Sequence, residues 1–322
     1  MRTKTFVCVK YGIRLDHFLT IELGVSRNSV TELIKSALVT VNDITQTKTG
    51  MKLNVQDSVH VTFPELKKHK EYKVDFDIPI IFEDEDILVI NKPPSLTVHP
   101  APSVKEPTLV DWLKSKNISL SSLSGEERNG IVHRIDKNTS GALVIAKNNT
   151  SHVNLAKQLE HRTLGRYYLA LIDYPLKENM VVDKPVGRNP KNRLKMGITA
   201  NGKAAKSAFC SLLTNEIENI ELIAAKLYTG RTHQIRVHLN AIGRHILGDD
   251  LYGFKSQKDK IKRIMLHAYC LYLIHPKSGE DMRFTAPLYD DFKEQLYRFF
   301  TKEQIDETVR TDDIILRFNA VF

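Results

Sequence analysis

Nine residues, His133-Arg134-Ile135-Asp136-Lys137-Asn138-Thr139-Ser140-Gly141, run without a break into the apolar stretch Ala142-Leu143-Val144-Ile145-Ala146. The apolar stretch reads as a buried strand, so Asp136 must sit in a turn fixed against the core. One acidic side chain among cations, hydroxyls and a glycine is a carboxylate held charged and within reach. Rigid placement of that kind suits chemistry. For an isolated Arg-x-Asp the plainer reading is a turn aspartate paired to Arg134. The rest of the chain decides between the two.

The nine residues resemble the catalytic motif of the pseudouridine synthases that modify ribosomal RNA, the large-subunit uridine synthase family, in which the Asp is the nucleophile or base. A second block, Gly230-Arg231-Thr232-His233-Gln234-Ile235-Arg236-Val237-His238-Leu239, is similar to another motif of that family. Between them, Arg166-Tyr167-Tyr168-Leu169-Ala170 resembles the strand that carries its active-site Tyr. Shorter likenesses run from Asn91-Lys92-Pro93 and Val98-His99-Pro100 to Ala286-Pro287-Leu288, so the resemblance spans roughly residues 77–295. It implies an α+β fold with one long, mixed, mostly antiparallel sheet and a central RNA-binding cleft. No cofactor is expected.

The balance of 47 Lys+Arg against 38 Asp+Glu suits a polyanionic partner without demanding one. Three scattered cysteines, Cys8, Cys210 and Cys270, indicate neither a disulfide framework nor a thiolate metal site. No stretch approaches the ~18 uncharged apolar residues of a membrane span, and the first residues leave no room for a signal-peptide apolar region. The expectation is a cytoplasmic monomer with no membrane partner.

Residues 14–23 place Leu15, Phe18, Leu19 and Leu23 at helical spacing, and Ser26 can cap a second helix holding Val30, Leu33 and Ile34. Leu38-Val39-Thr40-Val41 alternates like a strand, Asn42-Asp43 marks a turn, and Val59–Phe63 reads as a partner strand. Through Arg14-Leu15-Asp16, Ser26-Arg27, Leu33-Ile34 and Val39-Thr40-Val41-Asn42 this small α/β unit resembles the αL-motif RNA-binding domain of ribosomal proteins and aminoacyl-tRNA synthetases. Ser36-Ala37 and Asp43 stand where that domain usually has glycine. Residues 1–73 hold 12 Lys+Arg against 7 Asp+Glu, a net +5, which leaves +4 for the remainder. Arg27 and Lys35 are therefore candidates to meet phosphates. The polar segment 64–76 is the expected linker, dividing an RNA-binding domain at 1–73 from a catalytic domain at 74–322.

In the second domain, 78–82 and 87–90 read as a β-hairpin and Pro107–Trp112 as a short helix. Strands are expected at 142–146, 167–172, 205–213 and 221–228, a helix at 151–161, another from about 233, and one amphipathic helix over 288–310. Connections between the strands look antiparallel.

An enzyme acting on a stacked uridine must extrude the base and hold it between side chains. Arg134, two residues before Asp136, is the candidate to fill the vacated stack or grip a phosphate. A carboxylate in a pocket that excludes water needs a buried cation, and the resemblance assigns that part to Arg236. Arg231 is assigned to RNA phosphates or loop structure. The resemblance makes Tyr168, rather than its neighbour Tyr167, the surface on which the base stacks. Arg188, Lys203 and nearby cations suit a phosphate backbone. Ribosomal RNA is the expected substrate and transfer RNA the alternative; a non-catalytic ribosome-assembly factor would carry a damaged motif. A metal-dependent hydrolase using His233 and His238 is disfavoured, because residues five apart on a helix diverge by roughly 140°. No metal ligand set is assigned.

Overall fold

The computed structural model describes residues 2–25, 27–63, 72–101, 103–123, 128–253 and 261–321. The chain divides into two compact units, Met1–Glu71 and Tyr72–Phe322. Residues 64–71 of the expected linker and the proposed helix cap Ser26 lie outside the described residues.

The first unit runs β1 (Arg2–Val7), α1 (Leu15–Leu23), α2 (Arg27–Lys35), β2 (Val39–Val41), β3 (Ile44–Thr45) and β4 (Ser58–Phe63). Its strands form an antiparallel sheet in the order β1-β4-β2-β3. Leu15, Phe18 and Leu19 of α1 and Val30 and Ile34 of α2 close over Val39, Val41, Val59 and Val61. That is the periodicity of the sequence turned into a core. Strand β1 escapes sequence reading because Thr3, Lys4, Thr5 and Val7 are exposed, so no alternation marks a buried face. Ala37 (φ 57°) and Asp43 (φ 64°), which stand where glycine is usual, adopt left-handed backbone, as does Asn42 (φ 49°). The turn geometry is thus kept at a strain of about 1 kcal/mol or more, greatest for Ala37. Asn42 offsets its share by donating from Nδ2 to Asp57 Oδ1 at 2.9 Å and accepting Ser58 N–H at 2.9 Å.

The second unit begins with β5 (Ile80–Glu83), β6 (Ile87–Lys92), α3 (Leu109–Ser115), β7 (Ser140–Ala146), α4 (Asn149–His161) and β8 (Gly165–Asp173). It continues through β9 (Met180–Asp183), β10 (Val186–Arg188), β11 (Met196–Ile198), β12 (Lys206–Asn215), β13 (Ile220–Leu227) and α5 (Gln234–Ala241). The last elements are β14 (His245–Ile246), β15 (Leu266–Ile274), β16 (Asp281–Thr285), α6 (Asp290–Phe299), α7 (Lys302–Thr308) and α8 (Thr311–Val321). One long sheet follows the order β5-β6-β7-β15-β8-β13-β12-β9, with β14 added to β8 and β16 to β15, while β10 and β11 form a separate hairpin.

Successive residues of β6 and β7 feed two different cores: Leu88, Ile90, Leu143 and Ile145 pack on one face, Ile87, Val89, Ala142 and Val144 on the other. A strand covered on both faces has no polar side, which is why residues 142–146 read as an unbroken apolar run.

The sheet is mixed and mostly antiparallel, as the resemblance implies: β7 lies parallel to β15 through Ser140–His267 and Gly141–Ala268. Gly141 permits this approach: its φ is +116°, and a Cβ there would fall 2.3 Å from the Ala268 carbonyl oxygen. Residues 288–310 form two helices rather than one, since Phe300 is extended and Thr301 opens α7 with a capping box to Gln304.

Candidate active site

The turn that carries Asp136 is fixed from below and behind. Ile135 is buried while Arg134 is exposed and Asp136 half-buried, the alternation of an extended segment. Thr139 donates its N–H to the Asp136 carbonyl at 3.1 Å. Beneath it, the fully buried Lys92 at the end of β6 donates from Nζ to the carbonyls of Pro93 (2.7 Å), Leu96 (2.9 Å) and Lys137 (3.0 Å). Burial pushes that ammonium down to about 7, against the pull of Asp136. Where the turn enters β7, Ser140 Oγ lies 2.8 Å from His267 Nδ1, and His267 Nε2 lies 3.1 Å from the Ala286 carbonyl.

Asp136 faces the start of α5. Its Oδ2 is 3.2 Å from Arg236 Nη1 and 3.8 Å from His233 Nε2. The same guanidinium forks onto Asp249, Nε to Oδ2 at 2.8 Å and Nη2 to Oδ1 at 2.7 Å. The Asp249 side chain is 0% exposed, whereas that of Asp136 is 21% exposed, so one partner of Arg236 is sealed and the other open. Desolvation works against the charge of Arg236; the fork to Asp249 and the field of Asp136 overcome it and hold the guanidinium above its ordinary value. Burial holds His233 below the usual histidine range, with Asp136 opposing.

Arg134, Asp136, Arg166, Tyr168, Arg231, His233 and Arg236 line one hollow, together with the apolar Ile135, Leu227 and Leu266. Tyr168 turns into it from β8. Tyr167 faces the other way, 5.7 Å from the ring of Tyr272 and 5.2 Å from that of Phe318. Burial pushes the Tyr168 phenol up, Arg166 opposing and Asp136 adding, so the group is a protonated aromatic face. Arg134 reaches the mouth of the hollow, and among the described residues the ion-pair partners of Asp136 are Arg236 and His233. The pairing of Arg134 with Asp136 that an isolated Arg-x-Asp would suggest does not form.

The other candidates lie further out. Arg231 is exposed at the rim, its Nε donating to the Ala204 carbonyl at 3.0 Å. Arg188 ends β10 and donates from Nη1 to the Arg193 carbonyl at 2.9 Å. Lys203 is exposed beside it, its backbone paired with Val186. In the first unit Lys35 is exposed on the last turn of α2. Arg27 is bound to the buried Asp16, Nη2 to Oδ2 at 2.7 Å, with 64% of its side chain still exposed. Asp16 sits well below the usual carboxylate range, held there first by the Arg14 hydrogen bond and then by Arg27 against its burial.

Sequence reasoning overlooked Asp249, Tyr252 and Arg166. Arg166 opens the block around Tyr168 but has no role assigned there, and Gly248-Asp249-Asp250 is a turn signal in which nothing announces a partner on α5. His238, by contrast, is occupied structurally, with Nδ1 3.0 Å from Ser207 Oγ and Nε2 3.0 Å from the Lys184 carbonyl. Asp84, Asp86 and His275 converge elsewhere. They are spent on one another and on Asn148 and Ser151, pinning the β5–β6 turn to the start of α4.

The hollow thus brings together an open carboxylate, an arginine forked onto the sealed Asp249, an aromatic face and a cationic rim. Residues 86–241 match the family model for RNA pseudouridylate synthases. A Helicobacter pylori protein described as an uncharacterized RNA pseudouridine synthase is 49% identical over 98% of this chain and 99% of its own. The ribosomal large subunit pseudouridine synthase D of Zymomonas mobilis is 36% identical over 88% of this chain and 92% of its own. In fold, the chain is similar to human RNA pseudouridylate synthase domain containing 4, with a TM-score of 0.54 and 24% identity over 69% of this chain and 92% of that one. The chain belongs to the RNA pseudouridine synthases, in the branch of the large-subunit ribosomal RNA uridine synthases.

Proposed function

We propose that this protein isomerises uridine to pseudouridine in large-subunit ribosomal RNA, acting as a cytoplasmic monomer, with Asp136 as the reacting carboxylate. The supporting observation is that Asp136, the Tyr168 ring and the Arg236 guanidinium line one hollow, together with the apolar Ile135, Leu227 and Leu266. The uracil leaves its stack and enters that hollow, Tyr168 receives its face, and Arg134 at the mouth takes the vacated place or the adjoining phosphate. The bond from the sugar C1′ to N1 breaks, the base turns, C1′ bonds to C5, and the C5 proton leaves while N1 gains one. Asp136 supplies the nucleophile or base for this sequence, and Arg236, braced by Asp249, keeps its charge and direction in a water-poor site.

Arg188, Arg231 and Lys203 of the second unit, and Arg27 and Lys35 of the first, are proposed phosphate contacts. An RNA-binding role for residues 1–73, which the αL-motif resemblance implies, is supported by their net +5. The large-subunit names carried by relatives such as that of Zymomonas mobilis support ribosomal RNA as the substrate. Release of tritium from C5-labelled uridine in ribosomal RNA tests the reading. Asp136→Ala and Asp136→Asn should abolish release while leaving RNA affinity within about tenfold. Appreciable turnover by either variant would sink the assignment.

A further inference from the structure

Tyr252 occupies a junction that the reaction just described does not use. Its amide is held by Asp249 Oδ1 at 3.0 Å, so the acid that braces Arg236 also fixes this tyrosine. Its hydroxyl accepts the Met196 N–H at 2.7 Å and stands 3.3 Å from the Met196 carbonyl and 3.0 Å from His233 Nδ1. The Arg236 guanidinium lies 5.0 Å and Lys195 Nζ 5.6 Å from its ring centroid, both within cation–π range. Met196 opens β11, and Lys195 ends the loop that joins β11 to β10. That loop and its flanks carry Arg188, Lys191, Arg193 and Lys195, with Leu194 left 75% exposed among them. One side chain thus meets the basic β10–β11 hairpin, through Met196 and Lys195, and two neighbours of Asp136, His233 and Arg236.

The hydroxyl has a single proton and two acceptors in reach. If it donates to His233 Nδ1, the neutral imidazole carries its own proton on Nε2 and presents an N–H to Asp136 Oδ2, 3.8 Å away. If it donates to the Met196 carbonyl, His233 must place its proton on Nδ1 to meet the tyrosine oxygen, and a lone pair then faces the carboxylate. A movement of Met196 when RNA binds the hairpin changes the balance between these two arrangements, a discrete switch rather than a graded one.

We propose that Tyr252 is a positioning residue that couples seating of RNA on the β10–β11 hairpin to the His233 tautomer presented to Asp136, and so to the rate of isomerisation. The inference rests on Asp136 as the reacting group.

Two measurements test it. In the RNA-free protein, 15N resonances of the histidine rings, with His233 identified by loss of its signals in His233→Gln, should show Nδ1 as an acceptor and Nε2 protonated. Tyr252→Phe should shift that pattern. At saturating ribosomal RNA, Tyr252→Phe should lower the single-turnover rate about tenfold or more while leaving RNA affinity within about threefold. Lys195→Met should slow the unsubstituted enzyme but add nothing in the Tyr252→Phe background, because the route is already cut. An unchanged His233 pattern, a loss confined to affinity, or fully additive rate effects would overturn the coupling. Lys195→Met changes a side chain on an exposed loop, so it carries the kinetic arm alone if Tyr252→Phe does not fold. The ring signals need no turnover, so an active Asp136→Asn would remove the functional reading while the contact between Tyr252 and His233 is still decided.

Discussion

Asp249→Asn isolates the brace from the reaction. The aspartate accepts four hydrogen bonds: Arg236 Nε and Nη2, and the amides of Leu251 and Tyr252. Asparagine is the same size and can keep the three bonds at Oδ1 with its carbonyl oxygen. Its amide nitrogen must then stand at the Oδ2 position, 2.8 Å from Arg236 Nε, where two donors face each other. One charge-assisted bond is lost, at about 1.5–3 kcal/mol, and Arg236 loses the sealed one of its two counter-charges, which brings the total to about 3–5 kcal/mol. For a unit of this size, each kcal/mol lowers the melting temperature by about 2–4 °C, so a fall of about 6–20 °C is expected by calorimetry. Asp136→Asn is the control. That side chain is 21% exposed and gives up one 3.2 Å ion pair, so its melting temperature should stay within about 2 °C of the unsubstituted protein. Equal melting temperatures for Asp249→Asn and the unsubstituted protein would refute the claim that Asp249 carries Arg236.

Gly141→Ala should destabilise by at least about 3 kcal/mol, because the new Cβ meets the Ala268 backbone at a φ that alanine rarely adopts; a chemical denaturation midpoint within error of the unsubstituted protein would contradict this. Stability should also fall in mild acid. Burial holds His267 down at about 4 and His133 well below its ordinary value, so the unfolded chain binds protons first as pH drops below about 6.5. The His267 share is complete above pH 6.5 and is lost as pH falls toward 4, about 3 kcal/mol in all. His267→Gln should flatten that part of the urea midpoint against pH, and an unaltered slope would count against it. Removal of residues 1–71, which hold a core of their own, should leave an active enzyme that needs more RNA to saturate. Its log affinity should fall less steeply with log salt, by about 0.7–0.9 for each phosphate the first unit no longer neutralises, and an unchanged slope would mean the unit does not grip RNA.

What the sequence reveals here is what is local to it. Asp136 could be placed because the turn and the strand that fixes it are adjacent, while a strand's period of two puts Tyr168 and Tyr167 on opposite faces and only the family resemblance chooses between them. The two helices of the first unit are legible for the same reason: Leu15, Phe18 and Leu19 repeat at the period of the helix they bury. The parallel pairing of β7 with β15 joins Ser140 to His267, 127 residues away, and no periodicity encodes a partner at that distance. Asp249 and Tyr252 lie in an irregular turn whose residues specify a bend but not what the bend will face. Their importance comes from the arrival of α5 beside them, which is a property of the assembled sheet. The break between α6 and α7 is different, since Thr301 and Gln304 do spell a capping box, and the continuous polar pattern around them hides it.

The central claim is that Asp136 of this chain makes pseudouridine in ribosomal RNA. Pseudouridine mapping of ribosomal and transfer RNA, in cells with the gene intact, deleted, or carrying Asp136→Asn, tests it most directly. One or more uridines of the large-subunit RNA should be pseudouridine in the intact cells and unmodified in both others, with transfer RNA unchanged. Persistence of every such site in the Asp136→Asn cells would contradict the claim.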